Sequence, residues 1–151
     1  MNICIAYETY SSSTETVVTI VATRLTEKGH TVTVRRMRDG VQTEDLKKTD
    51  LTIFASPSWF ERGKEGQPHI SFLNFMDTAQ NESFKDMKFA LIGLGDSTYA
   101  HFCHAVDMLG GFFERHEAIN IAPTLKLDSF LSNSEHETQR LHQWLDQLPL
   151  Q

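Results

Sequence analysis

The sequence has few of the features that mark secreted, membrane-spanning or disulfide-rich proteins. It contains only two cysteines, Cys4 and Cys103, both among apolar neighbours, which indicates free, buried, reduced thiols. No stretch approaches the roughly 20 consecutive apolar residues that a membrane-spanning helix needs. The first residues carry no basic segment and predict a strand at once. We therefore expect no signal peptide, no membrane association and a cytoplasmic location.

Positive charge is also scarce. The net charge is −6, and residues 77–151 account for all of it, because acids and bases balance over residues 1–76. A nucleic-acid partner is not expected, since that function calls for a basic face. A mildly acidic surface favours encounter with basic protein partners, but it also serves solubility alone.

The residues that are present predict one α/β domain over residues 1–151. The chain has no internal repeat or linker-like tract, and its apolar runs alternate with amphipathic stretches, which is typical of a doubly wound parallel sheet. The predicted strands are Asn2–Tyr7, Thr31–Arg36, Leu51–Ser56, Lys88–Gly93 and Ala118–Leu127, the last one interrupted or at an edge near Pro123. The predicted helices run from Thr14 to Gly29 and over Ile70–Met76, Phe102–Glu114 and Glu135–Leu148. Ligands of such sheets bind at the carboxyl ends of the strands.

The segment after the first predicted strand is rich in hydroxyl groups and leads into a helix. Free backbone N–H groups and the helix dipole favour an anion there, and hydroxyls donate to phosphate oxygens. No lysine or arginine precedes Arg24, so hydrogen bonds and the dipole alone would neutralise a phosphate. Ordinary helix capping explains the same composition. The candidate phosphate-binding residues are Thr9, Tyr10, Ser11, Ser12, Ser13 and Thr14.

Two further loops follow the third and fourth predicted strands and carry aromatic side chains. Trp59 either stacks on a flat heterocycle or folds into the core. Tyr99 offers a second aromatic face, two glycines allow close approach of a ligand, and Asp96 accepts from a ligand N–H or forms a turn. The candidates in these loops are Ser56, Pro57, Ser58, Trp59, Phe60, Gly93, Leu94, Gly95, Asp96 and Tyr99. The three loops meet at one sheet edge, which fits a planar ring that carries a phosphorylated chain.

The stretch from Gly93 to Asp107 carries a specific resemblance to a known family. It reads GLGDSTYAHFCHAVD and resembles the G-x-G-D-S-x-Y-x-x-F-C-x-A-V-D signature of short-chain flavodoxins, which adds Phe102 and Cys103 to the candidate site. Ser58-Trp59 is similar to the flavin-stacking element of that family, and the segment from Tyr7 to Glu15 resembles its phosphate loop. The resemblance covers essentially the whole chain. It implies a flavodoxin-like three-layer sandwich, a five-stranded parallel sheet of order 2-1-3-4-5 with helices on both faces, and FMN as cofactor.

The resemblance also implies roles for single residues. Thr9, Ser11, Ser13 and Thr14 would hold the FMN phosphate, and Ser12 would offer its backbone N–H. Ser58 would reach the ribityl or phosphate side, Trp59 would stack on the inner flavin face and Tyr99 on the outer one. Asp96, with the backbone of Gly95, would line the pyrimidine edge. The family usually has glycine where this chain has Ser12, which would cost roughly 1 kcal/mol if the position required a positive φ.

The function that follows is that of a low-potential carrier of electrons between redox partner proteins, a reductase donor and an acceptor enzyme. It would act as a monomer through transient contacts, without substrate turnover of its own. Alternatives are an FMN-dependent quinone reductase and a flavodoxin-like interaction module with weakened FMN binding. No hydrolytic constellation or metal site is expected, since His101, Cys103 and His104 have no fourth ligand near them. The cluster of Arg35, Arg36 and Arg38 is more typical of a solvated strand end than of a docking site for an acidic partner.

Overall fold

A parallel sheet forms the centre of the computed structural model, which describes residues 1–151. Its strands are β1 (Asn2–Tyr7), β2 (Thr31–Arg36), β3 (Leu51–Pro57), β6 (Lys88–Gly95), β7 (Ile119–Asn120) and β8 (Leu125–Asp128). A separate antiparallel hairpin consists of β4 (Trp59–Glu61) and β5 (Lys64–Gln67). The helices are α1 (Ser12–Glu27), α2 (Thr43–Lys47), α3 (Ile70–Thr78), α4 (His104–Arg115) and α5 (Ser134–Gln147), and a 3₁₀ turn spans Met37–Asp39. None of the helices has the length and apolar character required to cross a membrane.

The strand order confirms the predicted topology. The sheet runs β2-β1-β3-β6, and both β7 and β8 pair in parallel with β6, so that together they occupy the fifth position. The fifth strand, predicted over Ala118–Leu127 with an interruption or an edge near Pro123, is interrupted as expected, because the chain leaves the ladder between the two short segments β7 and β8. Pro123 lies in that gap and has no N–H to offer a ladder.

Helices cover both faces of the sheet, as predicted. Side chains alternate along each strand, so Ile3 and Ile5 of β1 enter one core and Cys4 and Ala6 enter the other. The first core packs against α1 and α5, and the second packs against α3 and α4. In the second core, several phenylalanine side chains surround Phe113. The central strands are buried on both sides, which is why their sequences are continuous apolar runs.

Structure and prediction differ most in the region between β3 and α3, which was predicted as a long loop. It forms the β4–β5 hairpin, whose turn residues Arg62 and Gly63 have φ values of 50° and 75°. Two consecutive positive φ values are the signature of a type I′ hairpin turn. Smaller corrections are that α4 begins at His104 rather than Phe102, and that α2 and the 3₁₀ turn were not predicted.

Candidate functional site

The carboxyl ends of β1, β3 and β6 open onto a cavity of about 580 Å³. The loops that follow these three strands contribute most of its lining, as the topology requires. The predicted candidates that line it are Ser11, Ser13, Thr14, Pro57, Ser58, Trp59, Phe60, Leu94, Gly95, Asp96, Tyr99, Phe102 and Cys103. The structure therefore brings most of the predicted site residues together around one space.

The residues that line the cavity differ in part from the predicted site residues. The candidates outside the lining are Thr9, Tyr10, Ser12, Ser56 and Gly93. The lining residues that sequence reasoning missed are Glu65, Gly66, His101, Ser129, Phe130, Leu131 and Ser132. Residues 129–132 follow β8, which is the fifth-position strand, so the rule that pointed to the other strand ends would also have found them.

The loop after β1 leaves hydrogen-bond donors free at the start of α1. Ser11 is the N-cap residue, but no side chain caps this helix, and Ser11 Oγ lies 3.3 Å from Ser13 Oγ instead. The buried Thr9 Oγ1 has no hydrogen-bond partner in the chain. Uncapped N–H groups and spare hydroxyls are what a phosphate group needs. Ser12 is the first residue of α1 and its φ is not positive, so the strain expected for a non-glycine residue does not arise here.

A buried ion-pair cluster lies beside this loop. Glu8 is fully buried and accepts hydrogen bonds from Arg36 Nη2 at 2.6 Å, Arg38 N at 3.0 Å and Thr9 N at 3.1 Å. Burial alone would raise the pKa of Glu8, but the hydrogen bonds from Arg36, Thr9 and Arg38 outweigh it and hold the pKa below its usual range. Arg36 and Arg38 are thus engaged with Glu8, which corrects the expectation of simple solvation for these two, whereas Arg35 is exposed as expected.

Two exposed aromatic side chains border the cavity, Trp59 on β4 and Tyr99 in the loop after β6. The exposed fractions are 57% for Trp59 and 67% for Tyr99. Neither ring is folded into the core, so the alternative of Trp59 as a core residue is wrong. Large exposed aromatic faces beside a cavity are suited to stacking on a planar ring.

The inner end of the cavity is closely packed. A Cβ added to Gly95 would lie 3.1 Å from both N and Sγ of Cys103, so a side chain there would fit only if its neighbours shifted by a few tenths of an ångström. Cys103 is fully buried, and burial raises the pKa of its thiol to about 12, which keeps the thiol protonated and unreactive. Ser58 Oγ accepts a hydrogen bond from Ala105 N at 2.9 Å near the start of α4, and its own hydroxyl proton stays available.

Two carboxylates, Asp96 in the loop and Asp128 at the end of β8, hold the loop after β6. Asp96 Oδ1 accepts from Thr98 N at 2.9 Å, which is an Asx-type turn. Ser97 N and Ser97 Oγ both donate to the carboxylate of Asp128, at 2.9 Å and 2.5 Å, and the side-chain bond is the main cause of the lowered pKa of Asp128. The backbone between Gly95 and Tyr99 is therefore fixed at the cavity edge.

Comparison with known proteins decides the family. The family model described as Flavodoxin matches residues 5–144. The chain belongs to the flavodoxin family. It is 32% identical to a flavodoxin from Maridesulfovibrio salexigens over 125 residues, which are 82% of this chain and 84% of that relative.

Solved structures agree with this flavodoxin fold over nearly its whole length. A flavodoxin from Streptococcus pneumoniae TIGR4 superposes with a TM-score of 0.83 at 25% identity, covering 98% of this chain and 97% of the other. Flavodoxin 1 from Bacillus cereus gives a TM-score of 0.80 at 21% identity, with 98% and 99% coverage, which supports the fold alone. Family membership makes this flavodoxin an FMN-binding electron-transfer protein rather than an enzyme.

Proposed function

We propose that this flavodoxin binds one FMN non-covalently in the 580 Å³ cavity and carries electrons between a reductase and an acceptor enzyme. The observation that carries the proposal is that uncapped N–H groups of α1 and two exposed aromatic rings border the same cavity. When bound, FMN supplies the redox chemistry, and the protein provides binding, orientation and electrostatics.

Each group of site residues would contact a different part of FMN. Ser11, Ser13 and Thr14, with the backbone N–H of Ser12 and the spare hydroxyl of Thr9, would hold the phosphate. Trp59 and Tyr99 would enclose the flavin ring, and Ser58 would donate to the phosphorylated side chain. The tight backbone of Gly93, Leu94 and Gly95 with Asp96 would lie along the edge of the ring, and the remaining lining residues would shape the cavity.

The partners are proposed from the same arrangement. Trp59 and Tyr99 are more than half exposed, so a ring between them would present an edge to other proteins. Residues 1–151 would form one cytoplasmic domain acting as a monomer, and each redox partner would bind transiently through a small interface. We propose no nucleic-acid or membrane partner.

Titration of the apo-protein with FMN, followed by quenching of flavin fluorescence, tests the proposal. We expect stoichiometric quenching in the wild type. Trp59→Ala or Tyr99→Ala should weaken binding about 5- to 150-fold, because stacking a planar ring on an aromatic side chain contributes about 1–3 kcal/mol. Ile119→Ala is the matched control, since Ile119 is an exposed apolar residue on β7, outside the cavity lining.

Two outcomes would contradict the proposal. Absence of quenching at micromolar concentrations would favour a flavodoxin-like interaction module instead. Steady turnover of NAD(P)H with a quinone, in the absence of any reductase, would favour an FMN-dependent oxidoreductase.

A further inference from the structure

Tyr10 contacts the hairpin that carries Trp59, although 49 residues separate the two rings along the chain. The ring centroids of Tyr10 and Trp59 are 5.3 Å apart with an interplanar angle of 27°, which is a stacked arrangement. The Tyr10 hydroxyl donates a hydrogen bond to Glu61 Oε1 on the same strand as Trp59. One side chain of the loop after β1 therefore contacts two residues of β4.

Few interactions within the β4–β5 hairpin stabilise it. Its ladder consists of the pairs Trp59↔Gln67 and Glu61↔Lys64, with an irregularity between them. Isolated two-stranded hairpins are at best marginally stable in water, and this one is not part of the central sheet. The orientation of Trp59 must therefore depend on contacts from outside the hairpin.

The Tyr10 ring also contacts a residue at the start of helix α3. Its ring centroid lies 4.6 Å from that of His69, which is buried with 8% of its surface exposed. His69 is the N-cap of α3, and its Nδ1 accepts from Ser71 N at 3.0 Å. His69, Tyr10 and Trp59 thus form a column of three rings that leads from α3 to the cavity.

We propose that Tyr10 is a positioning residue for Trp59, a role that rests on the proposed FMN binding. Trp59 lines the cavity and Tyr10 does not, so Tyr10 contacts the indole from outside the cavity and leaves the cavity side open to a planar ligand. Side-chain freedom that is already restricted before binding is not lost on binding. The Tyr10 ring raises the affinity for FMN through its contact with Trp59.

A double-mutant cycle measures this role. Tyr10→Leu should weaken FMN binding about two- to tenfold, the range of an aromatic pair contact. In a Trp59→Ala background the same substitution should change the dissociation constant less than twofold, because the residue through which Tyr10 acts is gone. Tyr10→Phe keeps the ring and removes the hydroxyl, so it should recover most of the affinity lost in Tyr10→Leu. Equal losses in both backgrounds would show a general structural role and overturn the proposal.

A second readout needs no FMN. In a Trp144→Phe protein, Trp59 is the only tryptophan, and Tyr10→Leu should lower its fluorescence anisotropy because the indole becomes more mobile. Unchanged anisotropy would overturn the positioning role, even if FMN binds. Failure of the wild type to bind FMN would instead contradict the proposed function, and the anisotropy would still decide whether Tyr10 holds Trp59.

Discussion

Glu8 is a buried carboxylate whose charge is stabilised by hydrogen bonds from Arg36, Thr9 and Arg38. Its lowered pKa means that folding favours the ionised carboxylate, so the associated stability is present above the ordinary carboxyl pKa and is lost as the pH falls through the lowered one. We expect Glu8→Gln to reduce the free energy of unfolding at pH 7 by roughly 1–3 kcal/mol, because buried hydrogen bonds to Arg36 and Arg38 are weakened. Urea unfolding of the apo-protein at several pH values below 7 measures both effects.

Asp146 is the matched control for this prediction. It also pairs with two cations, Arg24 and Lys28, but at an exposed position. Exposed ion pairs contribute little to stability, so Asp146→Asn should leave unfolding at pH 7 nearly unchanged. If Glu8→Gln changed stability no more than Asp146→Asn does, the buried cluster would have no special role.

The role of Glu8 was beyond sequence reasoning for a geometrical reason. The parallel pairing of β1 with β2 sets Tyr7 opposite Arg36, which brings the arginines to Glu8 across 28 and 30 residues. Composition and local pattern contain no information about that register. By contrast, Trp59 and Tyr99 were placed correctly, because each follows a buried strand whose carboxyl end must lie at the same sheet edge.

At the scale of elements, the hairpin packs at Gly66 against the loop before α4 and the first residue of α4. A Cβ added to Gly66 would lie 2.7 Å from His101 Cβ and 3.1 Å from His104 Cβ, whereas a Cβ on Gly63 would meet nothing within 4 Å. Both residues have similar positive φ values, 70° and 75°, so alanine costs about 1–2 kcal/mol of backbone strain at either. The difference between Gly66→Ala and Gly63→Ala measures the close packing of Gly66 against His101 and His104, at the edge of the cavity.

We expect Gly66→Ala to displace the hairpin and to weaken FMN binding more than Gly63→Ala does, because the moved hairpin carries Trp59 and Phe60. Thermal unfolding and FMN titration of the two variants test this. Equal effects of the two substitutions on FMN affinity would show that the packing of Gly66 against His101 and His104 does not position the site.

The hairpin also shows why some elements could not be predicted. The segment Lys64–Gln67 has neither an apolar run nor β-branched residues, so local propensity gives no strand signal, and tertiary contacts decide its structure. The buried strands were predictable because both of their faces lie in a core, which leaves a continuous apolar run in the sequence. The fifth strand was placed correctly, and its break near Pro123 was predictable because proline has no N–H to offer a ladder, so two segments pair separately with β6.

At the scale of the whole molecule, ligand binding and folding are linked. The cavity draws its lining from the ends of β1, β3, β6 and β8, so these residues converge only in the folded chain, and a ligand held there stabilises that chain. Excess FMN at 100 times its dissociation constant should add about 2.7 kcal/mol to the free energy of unfolding. For a chain of 151 residues this corresponds to a rise in Tm of roughly 5–11 °C.

Comparing riboflavin with FMN in the same experiment separates the contribution of the aromatic residues from that of the phosphate loop. Riboflavin has the ring but no phosphate, so it contacts Trp59 and Tyr99 without using the uncapped start of α1. At equal concentrations riboflavin should raise Tm clearly less than FMN does, and the difference should shrink in a Ser13→Ala variant, which loses one hydroxyl of the phosphate loop. Equal shifts from FMN and riboflavin in the wild type would mean that the start of α1 holds no phosphate, and that the aromatic residues alone account for binding.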